Sequence, residues 1–217
     1  MKSLDSSKWI AGMQEEHQRM IDLKVWDEQD PSEMPANRTC VNAGWVYTTK
    51  NHADGSLERY KARLVAKGYS QQAGIDYNVT FAPVTRYDSL CFIIALATNL
   101  NLNLEQLDIK TAFLYGNLVE EIWMNPPPGI GLDGKVPRLR KDLYSLKQAS
   151  LKWYEKLSSV LAKLGLSLSA FDPCVYIFKS KQTFVVVYVD DITVAGTKSA
   201  IDTLVSIGKC TGRRDAE

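Results

Sequence analysis

The stretch Val185-Val186-Val187-Tyr188-Val189-Asp190-Asp191-Ile192-Thr193-Val194-Ala195-Gly196 places two adjacent carboxylates between two apolar, β-branched runs. Each run is typical of a β-strand, so the stretch predicts a hairpin with Asp190 and Asp191 at its tip. A two-residue hairpin turn favours Asn-Gly or Asp-Gly because its central residues need positive φ, and Asp-Asp meets this need poorly. Two carboxylates about 4 Å apart repel by roughly 1 kcal/mol in water and about 4 kcal/mol at an effective dielectric near 20. The pattern therefore favours a cation bound between them, and the alternative is an exposed acidic turn.

The composition is that of an ordinary globular protein. With 217 residues, 45% of them hydrophobic and 24% charged, the chain can bury one sizeable core or two small ones. No apolar run approaches the roughly 18 residues that span a bilayer, and residues 1–9 lack the apolar core of a signal peptide. We therefore expect an intracellular protein, cytoplasmic or nuclear, with no membrane partner. A net charge of +1 gives no global attraction to nucleic acid, so any such contact must come from a local cluster.

Hydrophobic periodicity predicts helices mixed with antiparallel strands, and hence an α+β fold. The predicted elements are a helix over 6–24, strands over 44–50 and 59–67, a helix from Asp88 or Ser89 to about Asn99, a strand over 104–109, a helix from Tyr154 to Leu164 that ends at Gly165, a strand over 174–178, a turn over 179–182 and the hairpin over 185–196. Asp54-Gly55 predicts a tight turn between the first two strands.

The hairpin formed by these two strands carries the basic cluster Arg59-Tyr60-Lys61-Ala62-Arg63, continued by Lys67. The cluster is either a phosphate contact or a solvated strand face.

A third acid completes a chemically meaningful set. Asp108 falls at the end of the strand over 104–109, against apolar neighbours. Together with Asp190 and Asp191 it suits hard cations, because Mg²⁺ prefers a few carboxylates plus phosphate oxygens. Two such ions about 3.5 to 4 Å apart would activate an attacking hydroxyl and stabilise a departing pyrophosphate. The trio therefore predicts phosphoryl transfer, with the basic hairpin supplying groups for the triphosphate. A two-metal phosphotransferase of another family would use the same set.

Six short blocks of the chain carry a resemblance to a known family. They are Arg59-Tyr60-Lys61-Ala62-Arg63-Leu64-Val65-Ala66-Lys67-Gly68, Gly74-Ile75-Asp76-Tyr77, Thr80-Phe81-Ala82-Pro83-Val84, Gln106-Leu107-Asp108-Ile109-Lys110-Thr111-Ala112-Phe113-Leu114, Leu146-Lys147-Gln148-Ala149 and Tyr188-Val189-Asp190-Asp191. In order and spacing they closely resemble the reverse transcriptase of copia-type LTR retrotransposons, over roughly residues 8–197. The resemblance implies RNA-directed DNA polymerase activity and a right-hand fold of fingers and palm with an antiparallel palm sheet. It also implies an RNA or DNA template, a primer and dNTPs as partners.

The resemblance assigns the catalytic acids. In that family the acid of the Gln-Leu-Asp block and the two acids of the Tyr-Val-Asp-Asp block hold two Mg²⁺ ions, for which Mn²⁺ can substitute. This maps onto Asp108, Asp190 and Asp191, with Tyr188 as the aromatic residue of the same block. These three acids are therefore both the expected metal ligands and the expected catalytic residues.

The resemblance also assigns the nucleotide site. Lys61, Arg63 and Lys67 are expected to meet phosphates. Phe113 is expected to act as the gate that excludes a 2′-hydroxyl, and its alternative role is that of a core aromatic. Gln148 is expected to lie against the incoming nucleotide, and its alternative is an amide on a helix surface.

The same resemblance predicts the domain organisation. They are an N-terminal helical leader over 1–22, fingers over about 23–85 and 120–165, a palm over about 86–119 and 166–197, and a divergent tail over 198–217. No thumb is expected within the chain, because the residues after Gly196 resemble nothing in the family. We therefore expect a truncated or frame-shifted remnant that extends primers poorly. The alternative function is a catalytically inactive, vestigial nucleic-acid-binding domain.

Three positions depart from the family pattern. Cys91 and Leu151 stand where the family usually has arginines, and Ser145 stands where it has a glycine. The lost arginines are expected to weaken the grip on template or nucleotide.

Overall fold

The computed structural model describes residues 5–109, 111–179 and 182–210, and in this part the chain has an α+β fold. The helices are α1 (Ser6–Asp22), α2 (Tyr87–Asn99), α3 (Ala149–Lys163) and α4 (Lys198–Cys210). The strands are β1 (Trp26–Gln29), β2 (Cys40–Val41), β3 (Ala43–Asn51), β4 (Leu57–Ala66), β5 (Asn103–Asp108), β6 (Trp123–Met124), β7 (Val136–Leu139), β8 (Ser167–Leu168), β9 (Val175–Phe178), β10 (Thr183–Tyr188) and β11 (Asp191–Gly196).

The described residues divide into two compact units. The first unit comprises the described residues of Met1–Thr80 and Phe113–Lys152, and the second those of Phe81–Ala112 and Trp153–Glu217.

The first unit contains the predicted basic hairpin, formed by β3 and β4 in antiparallel pairing. Asp54-Gly55 lies in its turn, where Gly55 has a φ of 85° and the His52 amide donates to the Ser56 carbonyl at 2.8 Å. The predicted N-terminal helix is confirmed as α1, which packs on β4. A side chain at Gly12 would lie only 2.9 Å from the Tyr60 carbonyl oxygen, so glycine is what permits this close approach. The unit also contains a four-stranded sheet of order β1-β7-β6-β2.

The second unit is built on a five-stranded antiparallel sheet of order β5-β11-β10-β9-β8. Its two faces alternate along each strand. On one face, Ile93 and Ala97 of α2 pack against Val186 and Ala195 of the sheet. On the other face, Ser158 of α3 hydrogen-bonds with the Tyr176 hydroxyl. The sheet is therefore covered by helices on both sides, and the predicted strands and hairpin of this region are confirmed.

The start of α2 differs from the sequence prediction. Its N-cap is Arg86, which makes no side-chain capping bond, so the predicted cap at Asp88 or Ser89 is wrong. The Asp172 carboxylate accepts the amide of this N-cap residue, Arg86, at 3.0 Å, and it also accepts the Cys174 amide, outside the helix, at 2.8 Å. A remote acid thus satisfies one amide at the start of the helix, and local sequence carries no sign of it.

The helix α3, the turn over 179–182 and the expected tail can also be compared with the sequence prediction. Helix α3 begins at Ala149, five residues before the predicted start at Tyr154, and Gly165 ends it with a φ of 86°. The predicted turn over 179–182 includes Ser180 and Lys181, which lie outside the described residues. The expected divergent tail begins with α4, while residues 211–217 lie outside the described part. Within the described ranges, no helix has both the length and the apolar character needed to cross a membrane.

Candidate active site

Two of the predicted catalytic acids face each other across a strand pair. Asp108 ends β5 and Asp191 begins β11, and the two are direct partners in the antiparallel register. Asp191 is also the partner of Tyr188 on β10. Because directly opposite residues project from the same face of a sheet, the Asp108, Asp191 and Tyr188 side chains form one row. This row lies on the face that α2 covers farther along the strands.

The turn of the hairpin is displaced by one residue from its predicted position. Tyr188 pairs with Asp191, so the two central residues are Val189 and Asp190, and the prediction that both acids occupy the tip is wrong for Asp191. Val189 has a φ of 55°. Positive φ at the first central residue alone is the φ pattern of a type II′ turn, which prefers glycine there. The β-branched Val189 is therefore in a strained conformation.

Three hydrogen bonds fix this turn and its acids. The Ile109 amide donates to the Asp190 carbonyl at 3.1 Å. The Trp153 indole Nε1 donates to the Val189 carbonyl at 2.7 Å. The Gln106 amide Nε2 donates to Asp191 Oδ1 at 3.4 Å, which restrains one carboxylate of the row. The structure thus brings Asp108, Asp190 and Asp191 together at the level of the backbone.

The chemistry of these donors fits a hard divalent cation. All three are carboxylates, and Mg²⁺ and Mn²⁺ take oxygen ligands. Among the residues that the structure describes, however, no three His, Cys, Asp or Glu side chains converge closely enough to form a preformed metal cluster. Metal binding by Asp108, Asp190 and Asp191 therefore stays a prediction.

The predicted phosphate-binding cations lie in the first unit. Lys61 and Arg63 are two residues apart on β4 and project from the same face, and Lys67 follows the strand and is exposed. Burial lowers the pKa of the Lys61 ammonium below its usual range, and the charges of Arg63 and Arg59 lower it further. The Arg63 guanidinium lies over the Tyr144 ring, 5.7 Å from its centroid. Lys61 and Arg63 are thus only partly solvated, so the alternative of a fully solvated face fits Lys67 better than these two.

Phe113 combines features of both roles predicted for it. Its ring makes an edge-to-face contact with Tyr144 at a centroid distance of 5.6 Å, and it packs against the core of the first unit. It is only half-buried, so part of the ring remains accessible. The role of Phe113 as a sugar gate stays a prediction, whereas its packing contact with Tyr144 is present in the structure.

Gln148 is fully buried, so its alternative role as a helix-surface amide is wrong. Its Oε1 accepts from Gln71 Nε2 at 3.0 Å, and its Nε2 donates to the Asp76 carbonyl at 3.0 Å. Gln71 in turn accepts the Lys147 amide at 2.8 Å. The Gln148 amide therefore ties the segment over 71–76 to the start of α3. Contact with a nucleotide stays a prediction.

Three residues of these networks were not predicted from the sequence. Gln106 lies two residues before Asp108 on β5, so strand alternation gives a local signal that the two share a face. Trp153 and Gln71 give no local signal, because their partners are 36 and 77 residues away.

The three residues that depart from the family pattern, Cys91, Leu151 and Ser145, differ in burial and in backbone conformation. Cys91 is exposed on α2, and Leu151 is half-buried in the first turns of α3. Ser145 has a φ of 69°, the left-handed conformation that glycine adopts without strain. This explains why a glycine suits that position.

Comparison with known proteins identifies related sequences over most of the chain. The sequence profile of the family described as "Reverse transcriptase (RNA-dependent DNA polymerase)" matches residues 24–206. The matched stretch includes both hairpins, all three acids and residues 198–206 of the segment that was expected to diverge.

Three relatives illustrate the similarity. The Pol polyprotein of transposon TNT 1-94 from Nicotiana tabacum is 43% identical over 198 residues, which are 88% of this chain and 15% of that polyprotein. The Pol polyprotein of transposon RE1 from Arabidopsis thaliana is 38% identical over 202 residues, 90% of this chain and 14% of its own length. The Gag-Pol polyprotein of transposon Ty1-BL from Saccharomyces cerevisiae is 32% identical over 192 residues, 87% of this chain and 10% of its own length. The chain thus spans only a small part of these relatives.

Proposed function

Because the chain belongs to the reverse transcriptase (RNA-dependent DNA polymerase) family, we propose that it is the polymerase domain of a copia-type retrotransposon Pol polyprotein and synthesises DNA on an RNA template. The observation that carries the proposal is the direct pairing of Asp108 with Asp191, beside Asp190 in the adjoining turn. A two-metal nucleotidyl transfer needs carboxylates from separate parts of the chain around shared ions. Antiparallel pairing of β5 with β11 supplies such an arrangement.

We assign the second unit to the palm and the first to the fingers. The five-stranded antiparallel sheet with its acids supports the palm assignment, and the basic hairpin of β3 and β4 supports the fingers assignment. The palm boundaries expected from the sequence at about 86, 119 and 166 differ by 5, 7 and 13 residues from the limits of the second unit at 81, 112 and 153, and the expected end at 197 differs by 20 residues from the limit at 217.

We propose that Asp108, Asp190 and Asp191 hold the divalent cations, Mg²⁺ or Mn²⁺. The chemistry supplied there by bound cations is activation of the primer 3′-hydroxyl and neutralisation of the departing pyrophosphate. The protein's own part is to hold the three carboxylates near each other. Gln106 restrains Asp191, and the Ile109 amide restrains the backbone of Asp190.

We propose that the first unit binds the incoming nucleotide. Lys61, Arg63 and Lys67 would neutralise its triphosphate, since phosphoryl transfer depends on positioning and charge neutralisation. The accessible part of the Phe113 ring would exclude a 2′-hydroxyl. For Gln148, which is fully buried, a contact with the nucleotide requires its amide to become accessible; one donor and one acceptor site of that amide are used by Asp76 and Gln71.

A catalytically inactive nucleic-acid-binding domain is the second candidate function. Cys91 and Leu151, which stand where the family usually has arginines, favour it, because each lost arginine removes a possible phosphate contact. In this case the acids would be intact but template and primer would not be held productively.

Primer extension tests the proposal. A labelled DNA primer on an RNA template, with dNTPs, Mg²⁺ and excess protein, is expected to be extended weakly but above background by the wild-type chain, and not by Asp190→Asn. The matched control is Asp202→Asn, which removes an equal charge from an exposed side chain of α4 that forms an ion pair with Lys198 at 3.4 Å. We expect this control to extend like the wild type. A wild-type protein that binds primer-template without extending it would support the inactive alternative, and extension that survives Asp190→Asn would refute the catalytic assignment.

A further inference from the structure

The turn that carries Asp190 is strained and needs support. Val189 has a φ of 55°, a region that β-branched residues avoid because their two branches clash with the backbone. No glycine is present at either central position of this turn to relieve the strain. The turn keeps this shape only if surrounding contacts determine it.

Both carbonyl groups of the turn are held from outside the hairpin. The Asp190 carbonyl accepts the Ile109 amide at 3.1 Å, which comes from the end of β5. The Val189 carbonyl accepts the Trp153 indole N–H at 2.7 Å, which comes from α3. Each bond fixes the orientation of one peptide group, so the two together determine the turn.

Trp153 is itself rigidly placed. Only 5% of its surface is exposed. The next residue, Tyr154, donates its hydroxyl to the Pro173 carbonyl at 2.8 Å, and Ser158 one turn farther along hydrogen-bonds with Tyr176 of β9. The indole N–H is thus presented from a helix that is fastened to the same sheet as the acids.

We propose that Trp153 is a positioning residue for the carboxylate site: its indole N–H holds the strained Val189 peptide and so keeps Asp190 in the turn and Asp191 opposite Asp108. The catalytic consequence rests on the proposed function, but the effect on the turn does not. If Trp153 were only a core aromatic, Trp153→Phe would act through the lost ring volume alone, and it would not loosen the Ile109 side of the turn selectively.

Amide hydrogen exchange measured by NMR tests the effect on the turn. In Trp153→Phe, the Ile109 amide is expected to exchange about tenfold faster, since the hydrogen bond that holds the opposite side of the turn is lost. The Val187 amide is the internal reference, because it donates to Cys174 at 2.9 Å on the β9 side of β10 and should keep its rate. The matched variant is Trp45→Phe, which removes an indole bond of 2.8 Å to the Pro128 carbonyl in the first unit. It should leave both rates unchanged.

Mn²⁺ binding, measured with the metal alone by paramagnetic broadening, tests the effect on the acids. Trp153→Phe is expected to weaken Mn²⁺ binding by about tenfold while Trp45→Phe does not, because only the former loosens the turn that orients Asp190 and Asp191. In a Val189→Gly background the effect of Trp153→Phe on the Ile109 amide should shrink, because glycine adopts positive φ without the anchor.

The outcomes distinguish a failure of the role proposed for Trp153 from a failure of the proposed polymerase function. An unchanged Ile109 rate in Trp153→Phe, or equal acceleration at Ile109 and Val187, would show that Trp153 only fills the core and would overturn the inference. If Trp153→Phe does not fold, 3-benzothienylalanine in place of Trp153 keeps the shape without the donor and is read out in the same way. Failure of the wild-type protein to bind Mn²⁺ would count against the proposed function, and the exchange rates would still decide the role of Trp153.

Discussion

Asp108 and Asp191 are direct partners across the β5–β11 pair, so two carboxylates of like charge lie side by side on one face of the sheet. Like charges in directly opposite positions destabilise a strand pair. Structural stability alone gives no reason for this pairing. A pair of acids that costs stability and fits a divalent cation is typical of a site retained for function.

The first prediction concerns this repulsion. Asp191→Asn should increase the free energy of unfolding in EDTA by up to about 1 kcal/mol, because it removes one of the two opposed charges. Added Mg²⁺ should stabilise the wild type and leave Asp191→Asn nearly unchanged, because ligand binding to the native state adds stability only where the site is intact. Urea unfolding with and without Mg²⁺ measures both effects. Lower stability of Asp191→Asn in EDTA would contradict the prediction.

The second prediction concerns sugar selection. Phe113→Val should raise the ratio of ribonucleotide to deoxyribonucleotide incorporation by about tenfold or more, because a smaller side chain leaves room for the 2′-hydroxyl. Single-nucleotide incorporation with matched rNTP and dNTP measures the ratio. An unchanged ratio, together with a loss of about 1 to 3 kcal/mol in stability, would make Phe113 a core aromatic only.

The third prediction follows from a buried carboxyl group on α1. Burial raises the pKa of Glu16 above its usual value of 4.5, although Arg19 opposes the shift, and its Oε1 has no hydrogen-bond partner in the described part of the chain. A carboxyl group with a raised pKa in the native state favours folding at low pH, and this contribution is lost as the pH rises through the native pKa. Glu16→Gln should therefore raise the Tm at pH 7.5, and the gain should disappear towards pH 4. Glu15→Gln, which removes an exposed carboxylate from the neighbouring position, should show no such gain.

The fourth prediction concerns the left-handed residue that replaces a glycine. Ser145 has a φ of 69°, which costs a residue with a side chain about 1 to 2 kcal/mol. Ser145→Gly should increase the free energy of unfolding by up to about 1 kcal/mol after the entropy cost of glycine is subtracted. Thermal unfolding measures the change. Ser159→Gly, at an exposed position within α3, is the control and should lose about 0.5 to 1 kcal/mol.

The fifth prediction concerns the glycine that follows Lys67. A Cβ atom at Gly68 would lie 2.1 Å from the Ser145 carbonyl oxygen, and this backbone cannot move away easily. Gly68→Ala should therefore destabilise the protein by about 1 to 3 kcal/mol. Gly131→Ala, where an added Cβ meets nothing within 4 Å, should stay within about 0.5 kcal/mol of the wild type. Equal stability of the two variants would contradict the packing described for Gly68.

Parts of the fold that depend on neighbouring residues were predicted well from the sequence, and parts that depend on contacts between distant residues were not. Two short apolar, β-branched runs were sufficient for β10 and β11, and Asp54-Gly55 was sufficient for the turn between β3 and β4, because both signals act within a few residues. The start of α2 was misplaced because its first turn is satisfied by Asp172, which is 86 residues from Arg86. The hairpin turn was misplaced by one residue because its register depends on which residue pairs with Tyr188 and not on the preferences of Asp190 and Asp191.

The sequence by itself determined the α+β class, most of the helices and strands, the identity of the acids and, through six ordered blocks, the family. Only the tertiary structure decided that Asp108 pairs with Asp191, that Val189 takes the strained position, that Trp153 holds it and that the Gln148 amide is bonded internally. The physical reason is that strand register and remote hydrogen bonds depend on contacts between residues far apart in the chain. Periodicity and residue preference report the local backbone, and they do not specify which distant partner each strand or side chain meets.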